Sequence, residues 1–152
     1  MPIASATFQL TIAATANETS ALTTRTARTD KRDAASFANG TGSLEITGVV
    51  DVRLTIAANS TVTALSSLTD TLETAWAFTE LKAYRIATPA ANVGNVTVTS
   101  NITGFPNGTV LHPNATFGGF TASANGTTVA GANTITVGGV NNDTVNVTLY
   151  LS

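Results

Sequence analysis

The end of the chain alternates strictly between apolar and polar residues. In the segment DTVNVTLYLS the apolar positions are Val145, Val147, Leu149 and Leu151. The polar positions between them are Thr144, Asn146, Thr148 and Tyr150. Successive side chains of a strand point to opposite faces, so a period of two residues indicates a half-buried β-strand. The segment therefore predicts a strand that packs one face on a core and presents threonine and asparagine on the other.

The same alternation recurs along the chain. It is found in the segments TFQLTIA, VDVRLTIA, NVTVT and TITV, and a further strand is expected at ELKAYRIAT. Turn-forming dipeptides separate these segments, namely Asn39-Gly40, Asn107-Gly108, Asn125-Gly126 and Gly138-Gly139. Short alternating strands with such turns are typical of antiparallel sheets. We predict a single all-β domain over residues 1–152, an antiparallel sandwich or barrel with loops rich in glycine and asparagine.

One segment has the spacing of a helix. In LTDTLETAWAF, Leu68, Leu72 and Trp76 are four residues apart. Asp70 and Glu73 have the spacing of a capping box. The segment is short and leads directly into a predicted strand, so we expect at most one short helix there.

The composition excludes several classes of function. Charged residues make up 11% of the chain, against roughly 25% in an ordinary domain. The net charge of −2 gives no reason to expect nucleic acid as a partner. The chain has no cysteine and therefore no disulfide or thiolate nucleophile. No apolar run approaches the roughly 18 residues of a membrane span, and the N-terminus lacks the features of a signal peptide, so we expect synthesis in the cytoplasm and no membrane partner.

Residues that carry enzymatic chemistry are few. His112 is the only histidine, and no Gly-x-Ser-x-Gly segment supplies a serine nucleophile for it. GTGSLE resembles the start of a nucleotide loop, but Glu45 stands at the position of the third glycine. Asp70, Glu73 and Glu80 could form paired carboxylates, although helix capping explains the first two more simply. We predict that the protein is not an enzyme, with no catalytic residues and no cofactor.

A calcium site is also not expected. The turn NNDT at residues 141–144 offers one carboxylate, that of Asp143. Calcium takes six to eight oxygen ligands and usually several carboxylates. We interpret the segment as a plain turn, and we predict no metal site.

Basic residues cluster in one segment. Four of the seven lysines and arginines lie in TTRTARTDKRDAAS, at Arg25, Arg28, Lys31 and Arg32. Residues 17–36 are therefore predicted to form either a solvated loop or a contact arm that binds an acidic surface, since complementary charge selects partners and register. The four basic residues are the candidate contact residues.

The Thr-rich strands have few charges to protect their edges. Lysines at sheet edges usually prevent edge-to-edge association, and the chain has only Lys31 and Lys82. Neutral threonine and asparagine form hydrogen bonds across an interface without the desolvation cost of charges. We therefore expect a structural protein that self-associates, as a homotrimer, although a two-fold dimer is possible.

The segment GVVDVRLTIAANSTVTALSSLTDTLETAWAFTELKAYRI resembles the core of a group of small virion proteins of tailed bacteriophages. The resemblance covers about residues 5–90, including TARTDKRDAASF. Within this group, the chain resembles above all the capsid decoration (cement) proteins of cyanophage type. The Gly/Asn/Thr-rich part from Thr88 onward departs from that pattern. The resemblance rests on diffuse strand patterns and carries over no site residues.

The resemblance implies a structural role in the virion. The protein would bind the outside of an icosahedral head and stabilise contacts between major capsid proteins, its partner at the capsid surface. The alternative is a phage fibre or receptor-binding module. Copy number in the virion distinguishes the two functions.

Overall fold

The fold is all-β. A computed structural model describes residues 5–19, 24–41, 45–69, 75, 77–105, 107–120 and 126–152, and for residues 5–36, 39 and 120 it describes the backbone alone. These residues form twelve strands and one 3₁₀ turn, with no helix of seven or more residues among them. No described helix is long or apolar enough to cross a membrane.

The strands differ greatly in length. They are β1 (Ser5–Thr19), β2 (Thr24–Asn39), β3 (Glu45–Ile46), β4 (Gly48–Thr55), β5 (Ser60–Ala64), β6 (Glu80–Ala87), β7 (Val96–Ser100), β8 (Thr109–Leu111), β9 (Thr116–Phe120), β10 (Thr127–Thr128), β11 (Thr134–Gly138) and β12 (Thr144–Leu151). The 3₁₀ turn spans Leu65–Ser67.

Two sheets form a sandwich, and a third element extends from it. One sheet has the order β10-β6-β12-β4, with β9 also paired to β6, and the other has the order β5-β11-β7-β8. Every pairing in these two sheets is antiparallel. β1 and β2 form a long antiparallel hairpin, and β3 adds to β2 in parallel. The sheets do not close into a barrel, so the sandwich is the correct one of the two predicted architectures.

The core lies between the two sheets. The four apolar residues of β12 have no exposed surface, and they pack with the inward residues of the facing sheet. Alternation sets this burial, because in each strand every second residue faces the core. The inward residues of the facing sheet are Val96, Val98, Leu111, Ile135 and Val137.

Each predicted turn dipeptide ends in a glycine whose backbone conformation is rare for other residues. Gly40, Gly108, Gly126 and Gly139 all have positive φ, as their positions in turn dipeptides predict. β4 and β5 are joined by a tight turn in which Ala58 and Asn59 both have positive φ, at 48° and 72°. Two successive positive φ values are the signature of a type I′ turn. This turn carries the chain from one sheet to the other at one edge of the sandwich.

The expected strands are confirmed, and the expected helix lies largely outside the described residues. All five predicted segments fall in β1, β4, β6, β7 and β11, and the terminal segment is β12. Residues 70–74 and 76 are not described. Thr69 and Ala75, on either side of residues 70–74, form an antiparallel bridge. The described residues before the bridge contain a single 3₁₀ turn.

We expect Leu149→Ala to destabilise the fold by about 2–5 kcal/mol, because a fully buried leucine of the central strand is replaced by a cavity. Val62→Ala is the matched control: Val62 is 64% exposed on an edge strand, so its truncation should cost less than about 0.5 kcal/mol. Urea denaturation of both variants measures the difference. Equal losses would contradict the assignment of β12 to the centre of the core.

Candidate functional site

The β1–β2 hairpin is the longest element of the protein. Its ladder runs from the pair Ser5–Ala38 to the pair Thr19–Thr24, a length of about 50 Å at 3.4 Å per residue. The longest sandwich strands have eight residues, or about 27 Å. A sheet of that height is too short to cover the hairpin along its whole length.

The four candidate contact residues lie in β2. The register sets Arg25 opposite Glu18 and Arg28 opposite Thr15, and it sets Lys31 opposite Ile12 and Arg32 opposite Thr11. The described part of residues 17–36 belongs to a β-ladder, because β1 supplies a hydrogen-bonded partner strand. Whether the segment contacts another protein stays a prediction.

The ladder divides the four basic residues into two pairs. Residues two apart in a strand share a face, and directly opposed residues share it too. Arg25 and Lys31 therefore belong to the same face of the ladder as Phe37, whereas Arg28 and Arg32 belong to the other face. The register thus divides the four basic positions of the cluster between the two faces of the ladder.

The base of the hairpin is held to the sandwich by an aromatic contact. Phe37 is 1% exposed, and its ring is stacked on Tyr150 with centroids 5.7 Å apart. Ile46 of β3 and Ala83 of β6 complete this small cluster. Burial raises the pKa of the Tyr150 hydroxyl above its ordinary value. Phe37 joins the β1–β2 hairpin to the outer face of the larger sheet.

The polar face of β12 is occupied with hydrogen bonds to the neighbouring strand. Arg53 Nη2 donates to Thr144 Oγ1 at 3.0 Å, and Thr148 Oγ1 donates to Asp51 Oδ1 at 3.0 Å. All four polar residues of β12 are partly buried, since β12 lies between two other strands. Two threonines of the central strand therefore orient the two charged residues of β4.

The outer face of the four-stranded sheet is uncharged. Its strands β5, β7, β8 and β11 contain no acidic or basic residue. The register places Thr136 between Val62 and Thr99 in one cross-strand row. Val62 and Val110 are 64% and 54% exposed at the two edge strands. This neutral face, defined by Val62, Thr99, Val110 and Thr136, suits contact with another neutral surface.

One end of the sandwich is a cluster of loops that are hydrogen-bonded around Asp143. The Asp143 carboxylate is buried, and it accepts hydrogen bonds from the backbone N–H of Val93 (2.8 Å) and of Gly94 (2.9 Å). The Asn92 side chain bonds both backbone groups of Thr144. The segment considered for calcium is therefore a turn whose carboxylate binds backbone amides. It holds Val93 in an 84% exposed position.

An ion pair between a buried Lys82 and a partly exposed Glu80 lies on β6. The side chain of Lys82 has no exposed surface and donates to Glu80 Oε2 at 2.5 Å. Lys82 is the residue that the register between β6 and β12 skips, so a β-bulge directs its side chain inward. The hydrogen bond from Lys82 holds the pKa of Glu80 below its ordinary value of 4.5. A small cleft beside this pair, of about 170 Å³, is lined by Tyr84, Gly104, Gly119 and Thr127.

The remaining candidates for chemistry are not brought together among the described residues. His112 is exposed in the loop after β8, where its backbone carbonyl accepts a hydrogen bond from Thr88 Oγ1 at 2.6 Å. Asp70 and Glu73 lie outside the described residues, as do residues 42–44 of the GTGSLE segment. The described part of the chain holds no cluster of three or more residues able to ligate a metal ion.

Sequence reasoning did not predict that Phe37 anchors the β1–β2 hairpin, or that Asp51 and Arg53 lie at an edge of the larger sheet. Phe37 follows a polar stretch without alternation, so nothing local marks it as buried. Asp51 and Arg53 were visible as outward residues of a strand, but their place at a sheet edge depends on strand order.

Comparison of the chain with protein-family models, with curated protein sequences and with solved structures found no match.

We expect Phe37→Ala to release the hairpin from the sandwich, because it removes the buried ring that stacks on Tyr150. Hydrogen exchange should accelerate in residues 5–39, while the amides of β12 keep their protection. Ala38→Ser, at an exposed neighbouring position, is the control. Unchanged exchange in the hairpin would show that Phe37 does not anchor it.

The Glu80–Lys82 pair predicts a specific pH dependence. A carboxyl with a lower pKa in the folded state stabilises the fold above its unfolded pKa, and this contribution is lost as the pH falls through the folded pKa. Glu80→Gln should therefore be less stable than the parent at pH 7, and the difference should shrink below a pH of about 4.5. Urea denaturation across pH measures it.

The double variant Glu80→Gln/Lys82→Met is the control for that experiment. It removes both charges, so no buried ammonium remains to be left without the Glu80 carboxylate. The double variant should thus recover stability relative to Glu80→Gln at pH 7. A loss that is the same at every pH would contradict the role of the ion pair.

Proposed function

We propose that the protein is a structural component of a bacteriophage virion, a capsid decoration protein that binds the outside of the head. The observation that carries this proposal is the β1–β2 hairpin. It is about twice as long as the sandwich strands, it is anchored at one end by Phe37, and it contains four of the seven basic residues. Such an arm reaches beyond its own domain.

Isolated two-stranded hairpins are marginally stable in water and require a further layer. A partner surface supplies that layer along the distal part of the arm. Residues 11–19 and 24–32 carry four basic residues and the two acids Glu18 and Asp30, a formal charge of +2. An acidic surface on the major capsid protein complements this charge, and arginine binds carboxylates through paired hydrogen bonds.

The proposal can be tested separately for each face of the β1–β2 ladder. Arg25→Gln/Lys31→Gln neutralises one face, and Arg28→Gln/Arg32→Gln neutralises the other. We expect one double variant to bind purified capsids at least about tenfold more weakly, since truncating one partner of a buried charge pair costs about 2–5 kcal/mol. Cosedimentation of each variant with capsids that lack the protein measures the affinity.

Arg85→Gln is the matched control, because Arg85 is an exposed cation of the sandwich outside the arm. It should bind as the parent does. Binding should also weaken with added salt, because exposed charges are screened beyond about 8–10 Å. If both double variants bind as tightly as the parent, the arm is not the docking element.

A second function, a fibre or receptor-binding module, is favoured by the loop end around Asp143. This end presents Val93 on a loop whose backbone is hydrogen-bonded to Asp143, and the neighbouring Val140 is 44% exposed. Copy number in purified virions separates the two functions. A number comparable with that of the major capsid protein supports decoration, whereas a number limited to tail or vertex positions supports the fibre.

A further inference from the structure

Strand β4 forms an edge of the larger sheet. Of the strands that the structure describes, only β12 pairs with it. β4 is eight residues long, and edges of this length are templates for pairing with another strand.

The hydrogen bonding of β12 shows which backbone groups face outward. The carbonyl of Asp143 accepts from the N–H of Ile56 at 2.9 Å, and the carbonyl of Leu151 accepts from the N–H of Thr47 at 2.8 Å. Odd-numbered residues of β12 therefore face β4, and the register pairs them with even-numbered residues of β4. In an antiparallel ladder the alternate residues direct both backbone groups to the other side.

The N–H and C=O groups of Val49, Asp51 and Arg53 thus point away from β12. The carbonyl of Thr55 also points away from β12, because it accepts a hydrogen bond from Thr61 Oγ1. The edge therefore offers the backbone donors and acceptors of Asp51 and Arg53 on either side of Val52.

Two opposite charges flank that centre. Asp51 and Arg53 are exposed, and each is oriented by a threonine of β12. Neither forms an ion pair within 4.0 Å among the described residues. Val52 between them is only partly buried against the core. The edge thus carries a positive and a negative charge at positions two residues apart.

We propose that β4 pairs with β4 of a second copy, antiparallel, about a two-fold axis at Val52. An interface of this symmetry must be complementary to itself, and the β4 edge meets that condition. Around Val52, Asp51 of each copy lies directly opposite Arg53 of the other. The two larger sheets become one continuous sheet across the dimer, and Val52 meets its own copy on the core side.

Charge selects this register over its neighbours. Only outward-facing residues can exchange hydrogen bonds, so the permitted registers differ by steps of two residues. A step in one direction sets Asp51 opposite Asp51, and a step in the other sets Arg53 opposite Arg53. Like charges directly opposed are destabilising, whereas opposite charges stabilise a cross-strand pair. The dimer does not rest on the proposed role at a capsid, and it takes the place of the trimer expected from the sequence.

The register can be tested by reversing charges. Asp51→Lys sets the introduced lysine against Arg53 of the other copy, and Arg53→Glu sets the introduced glutamate against Asp51 of the other copy. Each single variant therefore brings two like-charged pairs into the dimer, and each should raise the dimer dissociation constant roughly tenfold or more. Sedimentation velocity over a range of concentrations measures it, and circular dichroism verifies that each variant is folded.

Two recombinations should restore the dimer. The double variant Asp51→Lys/Arg53→Glu carries the pair in reversed order and should dimerise like the parent. An equimolar mixture of the two single variants should form a heterodimer, because the introduced lysine of one copy then opposes the introduced glutamate of the other, and the remaining Arg53 opposes the remaining Asp51. Native mass spectrometry distinguishes the heterodimer from both homodimers by mass.

Val110→Glu is the control, since it introduces a charge at an exposed position of the other sheet, on the edge strand β8. It should leave the dissociation constant unchanged. A parent protein that is monomeric up to near-millimolar concentration would overturn the proposal. So would a trimer, or a dimer that neither single reversal weakens and neither recombination restores.

Discussion

The fold depends on a central strand that is buried on one face and hydrogen-bonded on both edges. β12 pairs with β4 along eight residues and with β6 along most of its length. A strand in this position has its backbone groups satisfied by its neighbours, so its apolar face can enter the core without leaving buried polar groups unpaired. Each of its four apolar side chains contributes about 1.5–3 kcal/mol by burial.

The same arrangement explains the threonine-rich outer face of β12. A central strand has neighbours on both sides, so its outward side chains lie within reach of the charged residues on those strands. Thr144 and Thr148 bind Arg53 and Asp51 at the edge strand. The polar face of β12 therefore orients the two charged side chains of β4 through these hydrogen bonds.

The hairpin depends on the sandwich through a small contact. Phe37 and Ile46 pack against Tyr150 and Ala83 on the outer face of the larger sheet. The rest of the ladder is longer than the strands below it, and a two-stranded ribbon is marginally stable alone. This combination of a firm base and a long extension is the physical reason for proposing that the arm binds a further protein.

The sequence alone determined the class of the fold and most of its strands. The alternation in segments such as TFQLTIA, VDVRLTIA and DTVNVTLYLS is a local property, and each became a strand. Gly40 and Gly139, each the second residue of a predicted turn dipeptide, took positive φ values that residues with a Cβ rarely adopt. Local chemistry decides such features, since side-chain alternation and steric freedom act within a few residues.

Only the tertiary structure decided which strands pair and which edges stay open. TTRTARTDKRDAAS has no apolar alternation, and it became a strand because β1 lies opposite it. Lys82 is buried because a bulge shifts the register of β6, and Phe37 is buried because Tyr150 lies beneath it. Asp51 and Arg53 became an edge pair through strand order alone. These outcomes depend on contacts between residues far apart in the chain, which the alternation of a single strand does not contain.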